Sequence, residues 1–557
     1  MKAGRSLRLL TLAAALAANY GFWWHAGAPR DLAAAPDGKL ACVSYTPFRG
    51  AETPFDPTLV VPPERIEADL ARLAPVANCV RTYATDQGLA AVPAIAARQG
   101  MTVLLGIWIG RDAVANRRQI DRAIELARAY PDAVRAIVVG NEVLLRGEQS
   151  GETLAELLGE IKAATGKPVT YADVWEFWLR APKALADAAD FLTIHVLPYW
   201  EDHPVAAIDG VAHLESVLAK VEAAFPGKPI LIGETGWPSA GRERAAAVPS
   251  RLEQARYLRS FLAYAAAHRL DYNLIEAFDQ PWKRALEGTV GAHWGLFDAA
   301  RNPKLVLAGP VSDAPLWRQE VVIASLLGLL LLAGRARAWL DAPAWRAAAM
   351  PFVAVAAGSL LVLAAGHSWR AAGTPVETAV EAALLLASAL TAWTLLGRLA
   401  ETAAPKPPVA VAALTRDRHS LLNALTDADR RIALLQLVIV AGALCASLAL
   451  AFDPRYRDFP IAAFALPAVG FAISAIRRNE YLQHASDRCA EAVFAVLLAG
   501  AALAILVIEG GANQAADLWA ALCLLLALPW LGAWRGIVAG WRARPISRVR
   551  SSQVDAA

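Results

Sequence analysis

The sequence predicts an α/β protein: a (β/α)8 TIM barrel followed by an all-α polytopic membrane region. Three observations carry this. From Ala41 to about residue 308, β-prone runs alternate with amphipathic helical patterns, which is the signature of parallel strands joined by crossover helices. After Pro315 the chain turns into Leu/Ala/Val-rich runs separated by Arg clusters. The first strand is followed by YTPFRGAETP, without the Gly-rich phosphate fingerprint that an open doubly wound sheet would carry.

At the amino end, Lys2, Arg5 and Arg8 precede LLTLAAALAANYGFWW, an apolar stretch closed by an aromatic belt. Ala15-Leu16-Ala17 comes too early in that run for an ordinary cleavage site, so residues 1–29 are expected to be an uncleaved anchor that sends the next segment across the membrane. Residues 30–312 are expected to form the barrel. Its strands are ACVSYTP, NCVRTYA, TVLLGIWI, VRAIVVGNE, KPVTYADV, FLTIHVLP, KPILIGETGW and DYNLIEAF. The clearest helices between them are PPERIEADLARLAP, DRAIELARAY, TLAELLGEIKAAT and RLEQARYLRSFLAYAAAH. Eight such units in about 270 residues match the size of a TIM barrel. Residues 313–544 then hold about seven membrane helices, and 545–557 a cytoplasmic tail.

Composition agrees with this division. Over 557 residues, 56% are hydrophobic and 19% charged, with a mean hydropathy of +0.36, too apolar for a wholly soluble chain. A net charge of +3 and the lack of a basic stripe with interleaved aromatics exclude nucleic acid as a partner. The five cysteines show neither metal spacing nor a disulfide framework. Cys445, Cys489 and Cys523 fall in apolar runs, while Cys42 and Cys79 begin strands and are expected to be small buried thiols rather than a bridge.

Two stretches carry chemistry: VVGNEVL, with Glu142, and ILIGETGWPSAG, with Glu234, about ninety residues apart. Each sets a glutamate just past a buried strand, and in a barrel the chemistry belongs at the carboxyl ends of the strands. Two such carboxylates are the equipment for splitting a glycosidic bond, one protonated to donate and the other ionised to attack or to activate water. Arg81 and Tyr83 end the second strand, where an arginine beside a carboxylate would keep it ionised. Tyr45, His195 and Tyr199 end the first and sixth strands and are candidates for orienting the nucleophile or sugar hydroxyls. Trp108, Trp175, Trp178, Trp200, Trp237, Trp282 and Trp294 fall at or past strand ends, and about half, with Trp237 and Trp282 foremost, are expected to stack on sugar rings. His203 and His213 lack ligand spacing, and the sequence asks for no metal and no organic cofactor.

With these residues in view, the chain resembles glycoside hydrolase family 17, the β-1,3-glucanases and β-1,3-glucanosyltransferases of the clan A barrels. The resemblance spans roughly residues 40–308 and rests on GNEV, ETGWPS, VRTYATDQ and GAHWGLFD. It implies that Glu142 is the general acid/base and Glu234 the nucleophile of a retaining mechanism; in a pocket with an ionised partner nearby, Glu142 is expected to have a raised pKa. It further implies that Asn141 binds the sugar 2-hydroxyl. Many relatives carry Tyr-Pro-Tyr where this chain has Leu197-Pro198-Tyr199, so one ring is missing from the sixth loop.

Apolar runs near 320–334, 347–366, 376–396, 432–452, 459–476, 490–508 and 518–534 are the further spans. With the first anchor they make eight. That count puts Arg335/Arg337, Arg398–Arg431, Arg477/Arg478/Arg488 and Arg542–Arg550 on the cytoplasmic face and keeps the barrel outside. The location expected is a bacterial inner membrane, with the membrane helices in contact with lipid and the barrel on the periplasmic side. APKPPVAV reads as a Pro-rich linker. Glu377 and Glu381, one turn apart at the outer end of a span, are either a hydrated cap or a transport site. The expected function is cleavage of β-1,3-glucan with transfer of the glycosyl group. Plain hydrolysis is the alternative, and a glucan-binding or export scaffold with an inactive or trimming barrel is a reading of another class. For the membrane half, an anchor or a docking surface for a glucan synthase or export complex is the simplest role.

Overall fold

The computed structural model describes residues 2–401, 409–415, 427–476 and 488–543. It divides into two compact units: Ala26–Pro315 with Arg455–Asp458, and Met1–His25 with Leu316–Pro454 and Phe459–Ala557.

The first unit is the expected barrel. Strands β1 (Val43–Ser44), β2 (Cys79–Arg81), β3 (Thr102–Ile107), β4 (Val134–Asn141), β5 (Val169–Val174), β6 (Leu192–His195), β7 (Ile230–Thr235) and β8 (Asp271–Leu274) close in sequence order. Every pairing is parallel, and Val43 joins the ring by facing Val80 on one side and Leu274 on the other. Their sequences are apolar runs because both faces are covered, the inner by the barrel's own filling and the outer by helices.

Those helices are α2 (Pro63–Leu73), α3 (Val92–Arg98), α4 (Ala113–Ala129), α5 (Gly151–Thr165), α6 (Trp175–Arg180), α7 (Lys183–Ala188), α8 (Gly210–Ala224), α9 (Arg251–His268) and α10 (Arg284–Gly291); α1 (Lys2–Gly27) precedes the barrel. Their starts are written locally. Asp112 accepts from the Val114 and Ala115 amides, Ser150 from Thr153 and Ser250 from Glu253. Such a cap contributes about 1 kcal/mol. Burial decides the rest: α2 puts Ile66, Leu70 and Leu73 against the barrel at helical spacing, each worth roughly 1.5–3 kcal/mol.

One expectation is corrected here. Cys42 and Cys79 are not separate thiols but a disulfide, with Cα atoms 4.3 Å apart. The Val43–Val80 register sets their neighbours opposite one another and brings the two cysteines into bridging range.

The second unit is helical: α1 with α11 (Trp317–Ala333), α12 (Ala336–Asp341), α13 (Ala344–Ala371), α14 (Pro375–Ala400), α15 (Val411–Thr415), α16 (Ala428–Phe452), α17 (Ile461–Ile476), α18 (Cys489–Glu509) and α19 (Gln514–Ala543). Four of these, α13, α14, α16 and α18, are long and apolar enough to cross a membrane. The segments Ile461–Ala475 and Gln514–Trp530 are apolar but shorter. Small residues set the α11–α13 contact: a Cβ on Gly358 would lie 2.1 Å from the Ala324 carbonyl oxygen, so only glycine lets these backbones meet. Asn19 bonds Ser325 across 3.1 Å, and the Trp23 indole donates to Ser359 at 3.0 Å, tying α1 to the same pair. Glu377 forms a capping box with Thr374, and Glu381 accepts from Ser368 at 2.7 Å, so both carboxylates have structural employment at the start of α14. Arg477, Arg478 and the stretch from 544 onward lie outside the described residues.

Candidate active site

The site grows from the carboxyl ends of β2, β4, β6 and β7. Arg81 is the last residue of β2 and is almost fully buried. Its Nη1 donates to the Gly233 carbonyl at 2.7 Å and to Glu234 Oε1 at 3.3 Å, and its Nη2 donates to Asn141 Oδ1 at 2.6 Å. One guanidinium thus ties the nucleophile candidate on β7 to the residue preceding the acid candidate on β4. Tyr83 donates to the same Glu234 oxygen at 2.8 Å and also meets Ser44 Oγ at 2.8 Å. Burial, then the nearby Glu234 charge, pushes the Tyr83 phenol well above its ordinary pKa, so it remains a donor. The side-chain contacts of Glu234 fall on Oε1, which leaves Oε2 as the oxygen for attack.

His195, the last residue of β6, stands between the two carboxylates. Its Nδ1 is 3.0 Å from Glu142 Oε1, and its Nε2 is 3.7 Å from Glu234 Oε1 and 3.4 Å from Arg81 Nη1. Gly233 makes room for the ring: a Cβ there would sit 3.0 Å from His195 Cδ2 and 2.4 Å from Thr193 Cγ2. Glu142 itself lies just past β4 in the left-handed region, at φ +53°, a strained conformation for a side chain of its kind and one that clusters at functional sites. Its amide is held by the Ala172 carbonyl at 2.7 Å. A carboxylate oxygen of Glu142 and one of Glu234 lie within 4.8 Å of each other, with a His195 nitrogen inside the same distance of both.

The expectation of a raised Glu142 pKa is corrected. Burial does push it up, but the hydrogen bond from His195 and the charges of His195, Arg146 and Arg81 outweigh burial, and the net direction is down. By spacing, Glu142, His195 and Glu234 would also suit a divalent ion, but the Arg81 guanidinium already supplies a cation to two of the three.

Asn141, Arg81, Tyr83 and His195 therefore converge with Glu142 and Glu234. Three other candidates do not. The Tyr45 hydroxyl is buried against Asp69 at 3.3 Å, and the Tyr199 hydroxyl is spent on the Arg242 carbonyl at 2.7 Å. Trp237 is wholly buried, its indole donating to Val248. In each case the side chain following the strand turns into the packing between loops instead of the mouth, so Trp237 is corrected from sugar platform to core. Trp175, Trp178 and Trp294 are buried as well. Trp282 is half-buried and braced edge-on by Phe48 and Phe55, while Trp108 is 41% exposed with the Arg146 guanidinium 4.3 Å over its ring. These two, with the half-buried Trp200, keep part of their surface exposed.

The sequence reading missed a second set of charges. Glu276, two residues past β8, is buried and paired with Lys283 Nζ at 3.0 Å, yet burial holds its pKa up to about 7. Glu287 is raised too, by burial against the pull of Lys283. Asp173, on β5, is pushed up to about 6 by burial; it bonds the Tyr171 hydroxyl and accepts the Leu145 amide at 3.3 Å, bracing the loop that carries Glu142. The signal for Glu276 was present, since LIEAF is one more acidic residue straight after an apolar strand.

A closed parallel barrel with glutamates at the carboxyl ends of β4 and β7 has the architecture and pairing of a two-carboxylate glycosidase. Residues 42–295 match the family model described as the BtgE/BtgC glycoside hydrolase domain. Over those residues the barrel is similar to a glycoside hydrolase domain of that type. A probable glucan endo-1,3-beta-glucosidase btgC of Aspergillus fumigatus is 28% identical over 312 residues, covering 47% of this chain and 42% of that protein. The glucan 1,3-beta-glucosidase of Arthroderma benhamiae is 28% identical over 254 residues, covering 43% of this chain and 82% of its own. Among solved structures, the glycoside hydrolase family 17 β-1,3-glucanosyltransferase from Rhizomucor miehei is 29% identical, with 48% of this chain and 97% of that chain covered and a TM-score of 0.42. The chain thus spans less than half the length of the btgC protein it matches.

Proposed function

We propose that the protein is a membrane-anchored enzyme that cleaves β-1,3-glucan with retention and passes the glycosyl group to a second glucan. The carrying observation is the carboxylate spacing. Oxygens of Glu142 and Glu234 within 4.8 Å suit the narrow gap of a retaining pair, about 5–5.5 Å between carboxyl groups, and not the wider gap that holds a water. The relatives' names supply the substrate class.

In the first step Glu234 Oε2 attacks the anomeric carbon while Glu142 gives its proton to the glycosidic oxygen. The bond between them breaks, and the leaving sugar departs with that proton. Arg81 and Tyr83 hold Oε1 and fix the attacking carboxylate. In the second step Glu142, now ionised, takes the proton from an acceptor hydroxyl as that oxygen displaces Glu234 from the anomeric carbon. A sugar hydroxyl as acceptor gives transfer, and water gives hydrolysis. Trp108 and Trp282 are the ring faces on which flanking glucose units stack.

Eight spans with the barrel outside the cytoplasm of a bacterial cell complete the proposal, supported by the four long apolar helices and the arginine distribution. An anchored enzyme on the export side suits remodelling of the cell's own glucan, which favours transfer. The test is to incubate the purified protein with β-1,3-oligosaccharides of one length and size the products. Chains longer than the input establish transfer, shorter chains alone reduce the reading to hydrolysis, and an unchanged substrate overturns it.

A further inference from the structure

We propose that Arg146 is a positioning residue of the glycosidase: it clamps the backbone just ahead of Glu142 and keeps that proton donor aimed at the glycosidic oxygen. The inference rests on the reading of Glu142 as the acid/base and adds to it the group that holds its turn in place.

The chain needs such a clamp. The register of β4 against β5 shifts between Val138 and Asn141. Gly140 there takes φ +85° and Glu142 takes φ +53°. The turn is also crowded, since a Cβ on Gly140 would sit 2.7 Å from Val143 Cγ2. A glutamate stays in the left-handed region only where its surroundings over-determine it.

Arg146 does the holding. It folds back on the turn, its amide donating to the Glu142 carbonyl at 2.9 Å. Its Nη1 donates to the Asn141 carbonyl, and its Nη2 donates to the Ile109 carbonyl at 3.0 Å. Nε and Nη2 close on Glu148 Oε2 at 2.9 and 2.7 Å, and the guanidinium lies 4.3 Å over the Trp108 ring. The far end of this fork is itself fixed. Gly110, next to Ile109, exchanges two hydrogen bonds of 2.8 Å with the Asn116 side chain and accepts from Gln149 Nε2 at 2.7 Å.

One planar guanidinium therefore ties the end of β4 to the loop after β3, a span that the single ammonium of a lysine does not reproduce. Asn141 is gripped twice, because Arg81 Nη2 holds its Oδ1 at 2.6 Å. The Arg146–Glu148 pair would staple the loop by itself; the bond to the Asn141 carbonyl is what carries the clamp to the acid.

The experiment uses the purified full chain and two aryl β-glycosides of a β-1,3-linked glucose disaccharide. The phenyl leaving group needs a proton from Glu142, and the dinitrophenyl leaving group needs none. Arg146→Ala and Arg146→Lys are expected to lower kcat/KM on the phenyl glycoside about a hundredfold, as a misplaced acid would, and on the dinitrophenyl glycoside by less than about threefold. On the latter, kcat and KM should fall together, because the misaimed Glu142 also serves as base and the glycosyl-enzyme accumulates. Glu148→Gln weakens the strut without touching Asn141; it should show a smaller loss with the same leaving-group dependence, and it decides the matter if the Arg146 variants do not fold. Arg111→Gln, at an exposed arginine bonded only to the Gly147 carbonyl among the described contacts, should change neither rate. Equal losses on the two glycosides, or full activity in Arg146→Lys, overturns the positioning role. A parent that splits the aryl glycosides but no β-1,3-glucan overturns the glucan reading alone, and the leaving-group comparison still decides Arg146. A parent inert on every substrate overturns both.

Discussion

Nδ1 of His195 lies 3.0 Å from Oε1 of Glu142, so the acid candidate is held by a ring that also faces the nucleophile candidate. A donor on a carboxylate favours its charged form, which is why Glu142 titrates low despite its surroundings. Removing the ring should reverse this. In His195→Ala the Glu142 pKa rises, the protonated acid survives to higher pH, and the alkaline limb of kcat/KM moves upward. An alkaline limb that stays put or moves down would sink the assignment of His195 as the group that tunes Glu142.

Asp173 gives a stability test. Its folded pKa is raised, from 3.8 to about 6, so the folded state holds a proton that the unfolded chain has already released. The stability this contributes is full below about pH 4 and is lost as pH rises through about 6. The loss is of order 3 kcal/mol. Asp173→Asn, fixed in a neutral form, should lack this slope, so its melting temperature relative to the parent should climb between pH 4 and 7. Parallel curves would show that Asp173 does not carry a buried proton.

How far these features were legible depends on what strand position alone determines. The eight strands could be read because burial on both faces forces apolar runs, and Glu142 and Glu234 because a carboxylate ending such a run is conspicuous. Glu276 carried the same mark and was passed over for want of a partner motif. Tyr199 and Trp237 were misplaced for a different reason. Sequence puts them past a strand end, but loop packing decides whether the next side chain faces the mouth or the interior. Cys42 and Cys79 illustrate a third limit, since their pairing follows from the β1–β2 register, which neither segment encodes by itself.

That disulfide closes 37 residues between β1 and β2. Cross-linking a loop of that length removes unfolded-state freedom worth about 4 kcal/mol in the chain-entropy model. Cys79→Ser should therefore lower the melting temperature by on the order of 10 °C. A midpoint indifferent to both the substitution and reductant would mean that the bridge adds nothing to the fold.

Orientation is checked with fusions. A reporter that works only outside the cytoplasm should be active after Ala308, and one placed after Ala412 should behave as cytoplasmic. The reverse pair of results would overturn the eight-span arrangement.

The nucleophile permits the sharpest test. In Glu234→Ala the attacking oxygen is gone, and the Arg81 and Tyr83 donors that hold Oε1 are left facing a gap about the size of a small anion. Ordinary turnover on β-1,3-glucan should fall by several orders of magnitude, because no glycosyl-enzyme is formed. Glu142 and His195 remain, so the variant keeps its base. Given an α-glucosyl fluoride, whose anomeric configuration matches that of the missing intermediate, it should join the donor to a β-1,3 acceptor and accumulate product it cannot cleave. An inverting enzyme, in which the second carboxylate activates water, would lose its base with that substitution and make no such product. Retention of normal glucan cleavage in Glu234→Ala would remove Glu234 from the mechanism altogether.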